Sequence, residues 1–243
     1  MTQNGRYKRQ IILPEIGKAG QEKLLSSSAL VVGCGGLGST LLYCLCGMGV
    51  GRIGFCDGDV VSLSNLNRQF LHTPADIGRK KVVSALEKLT AFAPELTFEP
   101  YDAWLTSSNA SGLVTQYDVV LLAVDSLEAR LVASRACVGA DVSLVDAGIN
   151  GLHGSLYTVR PGKTACLACF YGETPPKQAD IPSFAPVACA ISSFEAQAAA
   201  NVLLGLPNPT DGALLLFDGA AMTTEFVPVR RRERCSVCAA SLI

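Results

Sequence analysis

The chain has 243 residues, of which 49% are hydrophobic and 17% charged, with a formal net charge of -1. That much apolar material supports a large core and excludes a disordered or fibrous protein. The near-neutral charge gives no electrostatic case for nucleic acid or an anionic membrane as the main partner. Two histidines, His72 and His153, exclude a His-rich metal site and leave few candidates for a Ser-His-Asp hydrolase. Ten cysteines without a leader-like stretch predict a reducing, cytoplasmic setting and thiol or metal chemistry.

In chain order, the first feature is an uncharged stretch from Leu24 to Val50, long enough to cross a bilayer. Gly33, Gly35, Gly36, Gly38, Gly47 and Gly49 interrupt it, which favours a turn between two buried elements of a soluble chain. Ala29–Val32 accordingly reads as a buried strand, followed by a glycine turn and a helix over Leu37–Met48. Arg52–Cys56 reads as a second strand ending at Asp57. Gly78–Phe92 has the pattern of an amphipathic helix, with Val82, Val83, Leu86 and Leu89 on one side and Pro94 stopping it. Strands follow at Leu96–Tyr101 and Val119–Val124, with a weaker helix over Ser107–Gln116 between them. Leu127–Val138 is helical and Val142–Val145 is strand again. This alternation predicts an α/β fold, a Rossmann-like, mostly parallel sheet flanked by helices.

The pattern changes after Asp146. Gly154–Val159 alternates as a sheet strand, and Gly162–Pro186 has the Gly/Pro-rich composition of a long surface loop. An alanine-rich helix over Cys189–Leu204 leads to strands at Leu214–Phe217 and Thr223–Val227, an antiparallel C-terminal portion. No linker or repeat is visible, so residues 1–243 read as one domain.

Gly33-Cys34-Gly35-Gly36-Leu37-Gly38 fits G-x-G-x-x-G between a strand and a helix, where backbone can approach a phosphate at a helix N-terminus. Asp57, about twenty residues on, stands where a carboxylate accepts a ribose hydroxyl. The motif alone does not separate NAD, FAD and ATP. Arg68 and Lys81 beside the phosphate loop suit a triphosphate, and Asp125 at a strand's carboxyl end suits Mg²⁺.

Taken with Arg6-Tyr7-Lys8-Arg9-Gln10-Ile11, Asp57-Gly58-Asp59 and Ser64-Asn65-Leu66-Asn67-Arg68-Gln69, the ordered pattern from Arg6 to Cys238 resembles the ThiF/MoeB/HesA family. These are bacterial relatives of the adenylation domain of the ubiquitin-activating enzyme. The resemblance implies an ATP- and Mg²⁺-dependent homodimeric adenylyltransferase. Its substrate would be the C-terminal glycine of a small ubiquitin-like sulfur carrier ending in Gly-Gly, in molybdopterin or thiamine thiazole synthesis. It implies nucleotide contacts at Gly36, Asp57, Ser64, Asn65, Arg68, Lys81, Asp125 and Ser126, with Asp125 on Mg²⁺. Arg9 would reach the triphosphate as an arginine finger. Residues 1–150 would then be the nucleotide-binding part and 151–243 the carrier-binding and zinc part. An NAD-dependent oxidoreductase shares the glycine turn but leaves Arg68 and Lys81 unexplained. A non-catalytic module that binds a ubiquitin-like tail fits poorly with Arg9, Arg68, Lys81 and Asp125 together.

Cys166-Leu167-Ala168-Cys169 and Cys235-Ser236-Val237-Cys238 are paired C-x-x-C knuckles. Four thiolates so spaced predict a closed, structural Zn²⁺ site rather than redox dithiols, because neither pair opens a thioredoxin-like unit. Cys34, Cys44, Cys46, Cys56 and Cys137 lie in apolar runs and read as small buried hydrophobes. Relatives that form a thioester or persulfide carry a loop cysteine about eight or nine residues before an Ala-Pro or Gly-Pro pair. Counting back from Pro186 gives Lys177 or Gln178, and no cysteine lies between Phe170 and Ala188. Cys189 reads as the buried start of the alanine-rich helix, the alternative being a nucleophile near that loop. A separate sulfur donor is therefore expected, with no fused sulfurtransferase domain after Cys238. Arg230-Arg231-Arg232-Glu233-Arg234 is either a solvated run or a basic rim for an acidic carrier.

Overall fold

The computed structural model describes residues 3–174 and 181–239. Lys177 and Gln178, where relatives with loop chemistry carry their cysteine, lie outside the described residues. Three helical segments that the hydrophobic periodicity does not announce come first: α1 (Gln3–Arg6), α2 (Lys8–Ile11) and α3 (Gly17–Ser26). The alternating body follows: β1 (Ser28–Val32), α4 (Gly36–Met48), β2 (Arg52–Cys56), α5 (Lys81–Phe92), β3 (Thr97–Tyr101), α6 (Ala110–Val114), β4 (Val119–Leu122), α7 (Leu127–Gly139) and β5 (Ser143–Asn150). The C-terminal portion comprises β6 (His153–Val159), α8 (Leu167–Tyr171), α9 (Ala185–Leu204), β7 (Ala213–Asp218) and β8 (Thr223–Pro228).

All eight strands share one sheet in the order β3-β2-β1-β4-β5-β6-β7-β8. Pairing is parallel from β3 to β5 and antiparallel from β5 to β8. β1 and β4 are buried at every position, as continuous apolar runs must be when helices cover both faces of a parallel sheet. Residues of α4, α5 and α9 fill one face, and those of α6, α7 and α8 the other.

The expected α/β architecture is present, with local corrections. β5 runs on to Asn150 rather than stopping at Val145, because the hairpin register from Leu144↔Val159 to Asn150↔His153 extends it. α5 begins at Lys81 rather than Gly78, and Val83 is 48% exposed, off the buried stripe of Val82, Ala85 and Leu89. Within the expected loop 162–186 the short helix α8 forms, with Cys166 at its N-cap and Cys169 inside its first turn. α9 starts at Ala185 with Pro186 in its first turn, where the missing N–H has no intrahelical partner to lose. Cys189 therefore sits one turn into the helix and is half-buried, its Sγ 3.4 Å from Thr40 Oγ1 on α4. Cys44 is also only half-buried, while Cys34, Cys46, Cys56 and Cys137 are buried as expected.

The uncharged Leu24–Val50 stretch resolves into the end of α3, β1, the glycine turn and α4. Among the described residues, α9 is the one helix long and apolar enough by length and composition to cross a membrane. It instead buries Ile191, Ala196, Ala199 and Leu203 in the core it shares with α4.

Candidate functional site

Strand order reverses between β1 and β4, and such sheets open a crevice at the carboxyl ends of the strands flanking the reversal. A cleft of about 500 Å³ lies there. Gly36, Asp57, Arg68, Lys81, Asp125 and Ser126 all line it; Arg9, Ser64 and Asn65 do not.

The glycine turn is shaped by contact. Gly33 has φ +104, and a Cβ there would fall 2.5 Å from the Ala123 carbonyl oxygen at the end of β4. A Cβ on Gly38 would fall 2.0 Å from the Gly33 oxygen. Only glycine lets the turn close against β4 while α4 starts beside it, aiming its free N–H groups at the cleft. Asp57 straps the turn to β2. Its Oδ2 accepts from the Cys34 N–H and its Oδ1 from the Asp59 N–H, each at 2.8 Å. A carboxylate has further lone pairs, so a ribose hydroxyl can still be accepted.

A second strap comes from His72, which is buried behind the turn. Its Nε2 lies 3.0 Å from the Cys34 oxygen and its Nδ1 2.9 Å from Ser84 Oγ. A carbonyl only accepts, so Nε2 carries the hydrogen and Nδ1 receives the Ser84 hydroxyl, which in turn accepts from Lys88 Nζ at 2.8 Å. Burial, reinforced by the charges of Lys88 and Lys81, lowers the His72 pKa below its ordinary 6.5, so the ring is neutral. The stability from this arrangement is full above about pH 6.5 and declines as pH falls through the lowered value. Denaturant titrations between pH 7.5 and 5 should show wild type losing stability more steeply than His72→Gln, which cannot take up the proton. Equal slopes would remove His72 as the cause.

Arg68 crosses the start of α4, where a Cβ on Gly36 would stand 3.3 Å from its Cγ. Its Nη1 donates to the Ser64 oxygen at 3.0 Å and to Asn67 Oδ1 at 2.9 Å. Asn65 Oδ1 accepts from the Ser62 N–H at 3.1 Å and caps the 3-10 turn Leu63–Asn65. Ser64 and Asn65 thus shape the turn that presents Arg68. Lys81 is buried at the head of α5, its Nζ 2.7 Å from Asp59 Oδ2. Burial is the largest single influence on Asp59 and opposes its ionisation, but the hydrogen bonds from Lys81 and the Val60 N–H, with the charges of Lys81 and Lys80, together outweigh it and hold the carboxyl below its usual value. Asp125 stands exposed at the end of the β4 segment, and Ser126 caps α7 by accepting from the Ala129 N–H at 3.3 Å. Arg9 is exposed on α2, and among the described residues no hydrogen bond or ion pair engages it.

One group at the cleft has no motif to announce it. Arg130, buried on α7, reaches the cleft wall, pairs with Asp146 of β5 and donates to the Val124 oxygen. Tyr171 donates to Asp146 Oδ2 at 3.1 Å. Glu195 of α9 is fully buried, and among the described residues neither carboxyl oxygen has a hydrogen-bond partner. Burial, and then the charge of Asp146, push its carboxyl well above the ordinary range, so it is a neutral acid. A lone charged-type residue in an otherwise uncharged helix is the signal that could have found it.

Cys166, Cys169, Cys235 and Cys238 are all buried, with their sulfurs within 4.8 Å of one another. The Cys166–Cys235 and Cys169–Cys238 separations are 3.5 Å and Cys166–Cys169 is 4.0 Å. Four ligands at about 2.3 Å from a tetrahedral zinc stand about 3.8 Å apart, so the set fits that ion. Of the arginine run, Arg231 donates to the Gly162 and Cys238 oxygens, and the Arg232 N–H lies 3.4 Å from Cys169 Sγ. That part of the run braces the knuckle; Arg230, Arg232 and Arg234 keep exposed side chains.

Fold and site together define a doubly wound α/β protein with a phosphate-type glycine turn at its switch point and a four-cysteine knuckle. The chain belongs to the ThiF family, whose sequence profile matches residues 7–237. It is 37% identical to a sulfur carrier protein adenylyltransferase of Thermus thermophilus, over 96% of this chain and 90% of that protein. It is 35% identical to the SAMP-activating enzyme E1 of Haloferax volcanii, over 98% of this chain and 89% of that protein. The adenylyltransferase and sulfurtransferase MOCS3 of Anopheles gambiae is 38% identical over 96% of this chain, which spans 54% of that longer protein. Among solved structures, Escherichia coli MccB with succinimide superposes with a TM-score of 0.86 at 22% identity, covering 98% of this chain and 74% of that one. That likeness is one of fold.

Proposed function

We propose that this chain adenylates the C-terminal glycine of a small ubiquitin-like sulfur carrier ending in Gly-Gly, using ATP. Relatives named as a sulfur carrier protein adenylyltransferase and as MOCS3 support the substrate class. The observation that carries the reading is the single cleft shared by the glycine turn, Asp57, Arg68, Lys81 and Asp125. A hydride-transfer enzyme shares the glycine turn but leaves Arg68, Lys81 and the four-cysteine knuckle without a role.

In this reading residues 1–150 hold the nucleotide, and residues 151–243 bind the carrier and carry the zinc, within one domain. The glycine turn and the α4 N-terminus cradle phosphate, and Asp57 accepts a ribose hydroxyl. The carrier's terminal carboxylate attacks the α-phosphorus, the bond to the bridging oxygen breaks, and pyrophosphate leaves as acyl-adenylate forms. The nucleophile is already ionised, so no general base is needed. Catalysis comes from alignment and from Arg68 and Lys81 neutralising developing charge, with Asp59 holding Lys81 extended. Asp125 would hold Mg²⁺, an ion that takes one or two carboxylates plus substrate phosphates and would offset charge on the leaving group. Zn²⁺ in the knuckle would be structural. With no cysteine between Phe170 and Ala188, sulfur would come from a separate donor acting on the acyl-adenylate. A homodimer in the cytoplasm completes the proposal.

ATP–pyrophosphate exchange tests it. Exchange should appear only with a Gly-Gly-ended carrier and fall at least a hundredfold in Asp125→Ala, the scale of losing a transition-state charge contact. Exchange driven by free amino acids, or nicotinamide reduction, would overturn the assignment.

A further inference from the structure

The only tryptophan of the chain, Trp104, borders the cleft in the loop after β3, yet it belongs to none of the motifs above. A Cβ on Gly58 would fall 2.6, 2.7 and 2.8 Å from its Nε1, Cε2 and Cδ1 atoms. Three nearly equal distances put Gly58 against the flat face of the five-membered ring; an approach at the Nε1 edge would leave the two carbons much farther away. With that face covered, Trp104 as a residue is still 60% exposed, which leaves the other face and the rim of the ring as its open area. Trp104 also lines a second pocket of about 240 Å³ that shares Cys56, Ala103 and Leu105 with the cleft.

This placement is held rather than incidental. Lys80 Nζ donates to the Gly58 oxygen at 3.2 Å and pairs with Asp102 at 3.0 Å, tying the loop after β2 to the loop after β3. Asn109 Nδ2 donates to the Trp104 oxygen at 2.9 Å and fixes the loop from its other side. Gly58 follows Asp57, the carboxylate positioned for a ribose. A nucleoside whose sugar meets Asp57 and whose phosphates meet the glycine turn must direct its base towards β3, where Trp104 stands.

We propose that Trp104 is the stacking platform for the nucleotide's base, a binding and specificity residue set by the bare backbone of Gly58. The assignment deepens the adenylation reading and rests on it. An aromatic face stacks on any base but gains most from a purine, and removing such a platform weakens binding by about tenfold or more. The loss should fall on KM for ATP rather than on kcat, because the base does not react.

A lone tryptophan makes the test direct. Its fluorescence should change saturably when the full chain is titrated with ATP, and not with inorganic tripolyphosphate, which lacks a base. In carrier-dependent exchange, Trp104→Ala should raise KM for ATP about tenfold or more and narrow the preference for ATP over UTP, while Trp104→Phe restores most of both. Gly58→Ala, whose new methyl must push the ring aside, should act in the same direction. An unchanged KM in Trp104→Ala, or a fluorescence response to the carrier but not to ATP, would overturn the platform and leave adenylation intact. Loss of the adenylation reading would instead show as wild type without carrier-dependent exchange, an outcome that does not depend on Trp104.

Discussion

Cys166→Ser and Cys238→Ser variants should each lack metal and lose most of their thermal stability, whereas the wild-type chain should carry about one zinc ion. The four buried sulfurs join a segment next to β6 to one beyond β8. Around them, the Leu167 N–H donates to Ser134 Oγ of α7 at 3.1 Å, and Tyr157 donates to the Ala165 oxygen at 3.0 Å. The knuckle is thus built into the core under α7 rather than hung on the surface. Structural zinc contributes about 10–16 kcal/mol in small metal-dependent domains, against about 5–15 kcal/mol of net stability for a whole domain. Without the ion, four buried thiols lose that linkage and the segment beyond β8 loses its tie to α8. Metal analysis and thermal melts with and without a chelator check this. Full metal content in both variants would place the ligands elsewhere.

Local chemistry made the knuckle and the glycine turn legible, because each is a short run whose spacing has one physical use. Gly33, Gly38 and Asp57 fall into place for the same reason: a tight turn after a buried strand leaves little choice of conformation. The alternation of apolar runs was enough for the parallel half of the sheet. It was insufficient for β5 beyond Asp146, where the strand is prolonged by hairpin pairing with β6 and not by its own composition. α3 escaped notice because it buries only Gln21 and Leu24, too narrow a face to produce a period.

The same contrast runs through the site. Arg68 and Lys81 could be named from their motif, but not the partners that hold them: Asp59 on Lys81, and the Ser64 oxygen with Asn67 on Arg68. Arg130, Asp146 and Glu195 meet only because α7, β5 and α9 pack together, and no spacing along the chain encodes that meeting. Trp104 is similar. Its position depends on an absent side chain at Gly58, contributed by a different loop.

Arg9→Ala and Asp125→Ala should each be nearly inactive alone, and mixing them should restore exchange if active sites are shared between subunits. Arg9 is exposed on α2, outside the cleft lining, and among the described residues it has no hydrogen-bond or ion-pair partner. A planar, permanently charged guanidinium suits bidentate phosphate contact, and an arginine supplied in trans contributes about 10³–10⁵ in rate to phosphoryl transfer. In a heterodimer of the two variants, one site combines an intact Asp125 from one chain with an intact Arg9 from the other, and its opposite site lacks both. Random exchange of subunits makes half of the dimers mixed, so activity should return to about a quarter of wild type. If Arg9 served its own cleft, every site in the mixture would still lack one of the two groups, and mixing would restore nothing. Differently tagged chains, purified through both tags, establish that exchange has occurred. A doubly tagged heterodimer that stays inactive would refute supply in trans and return Arg9 to its own subunit.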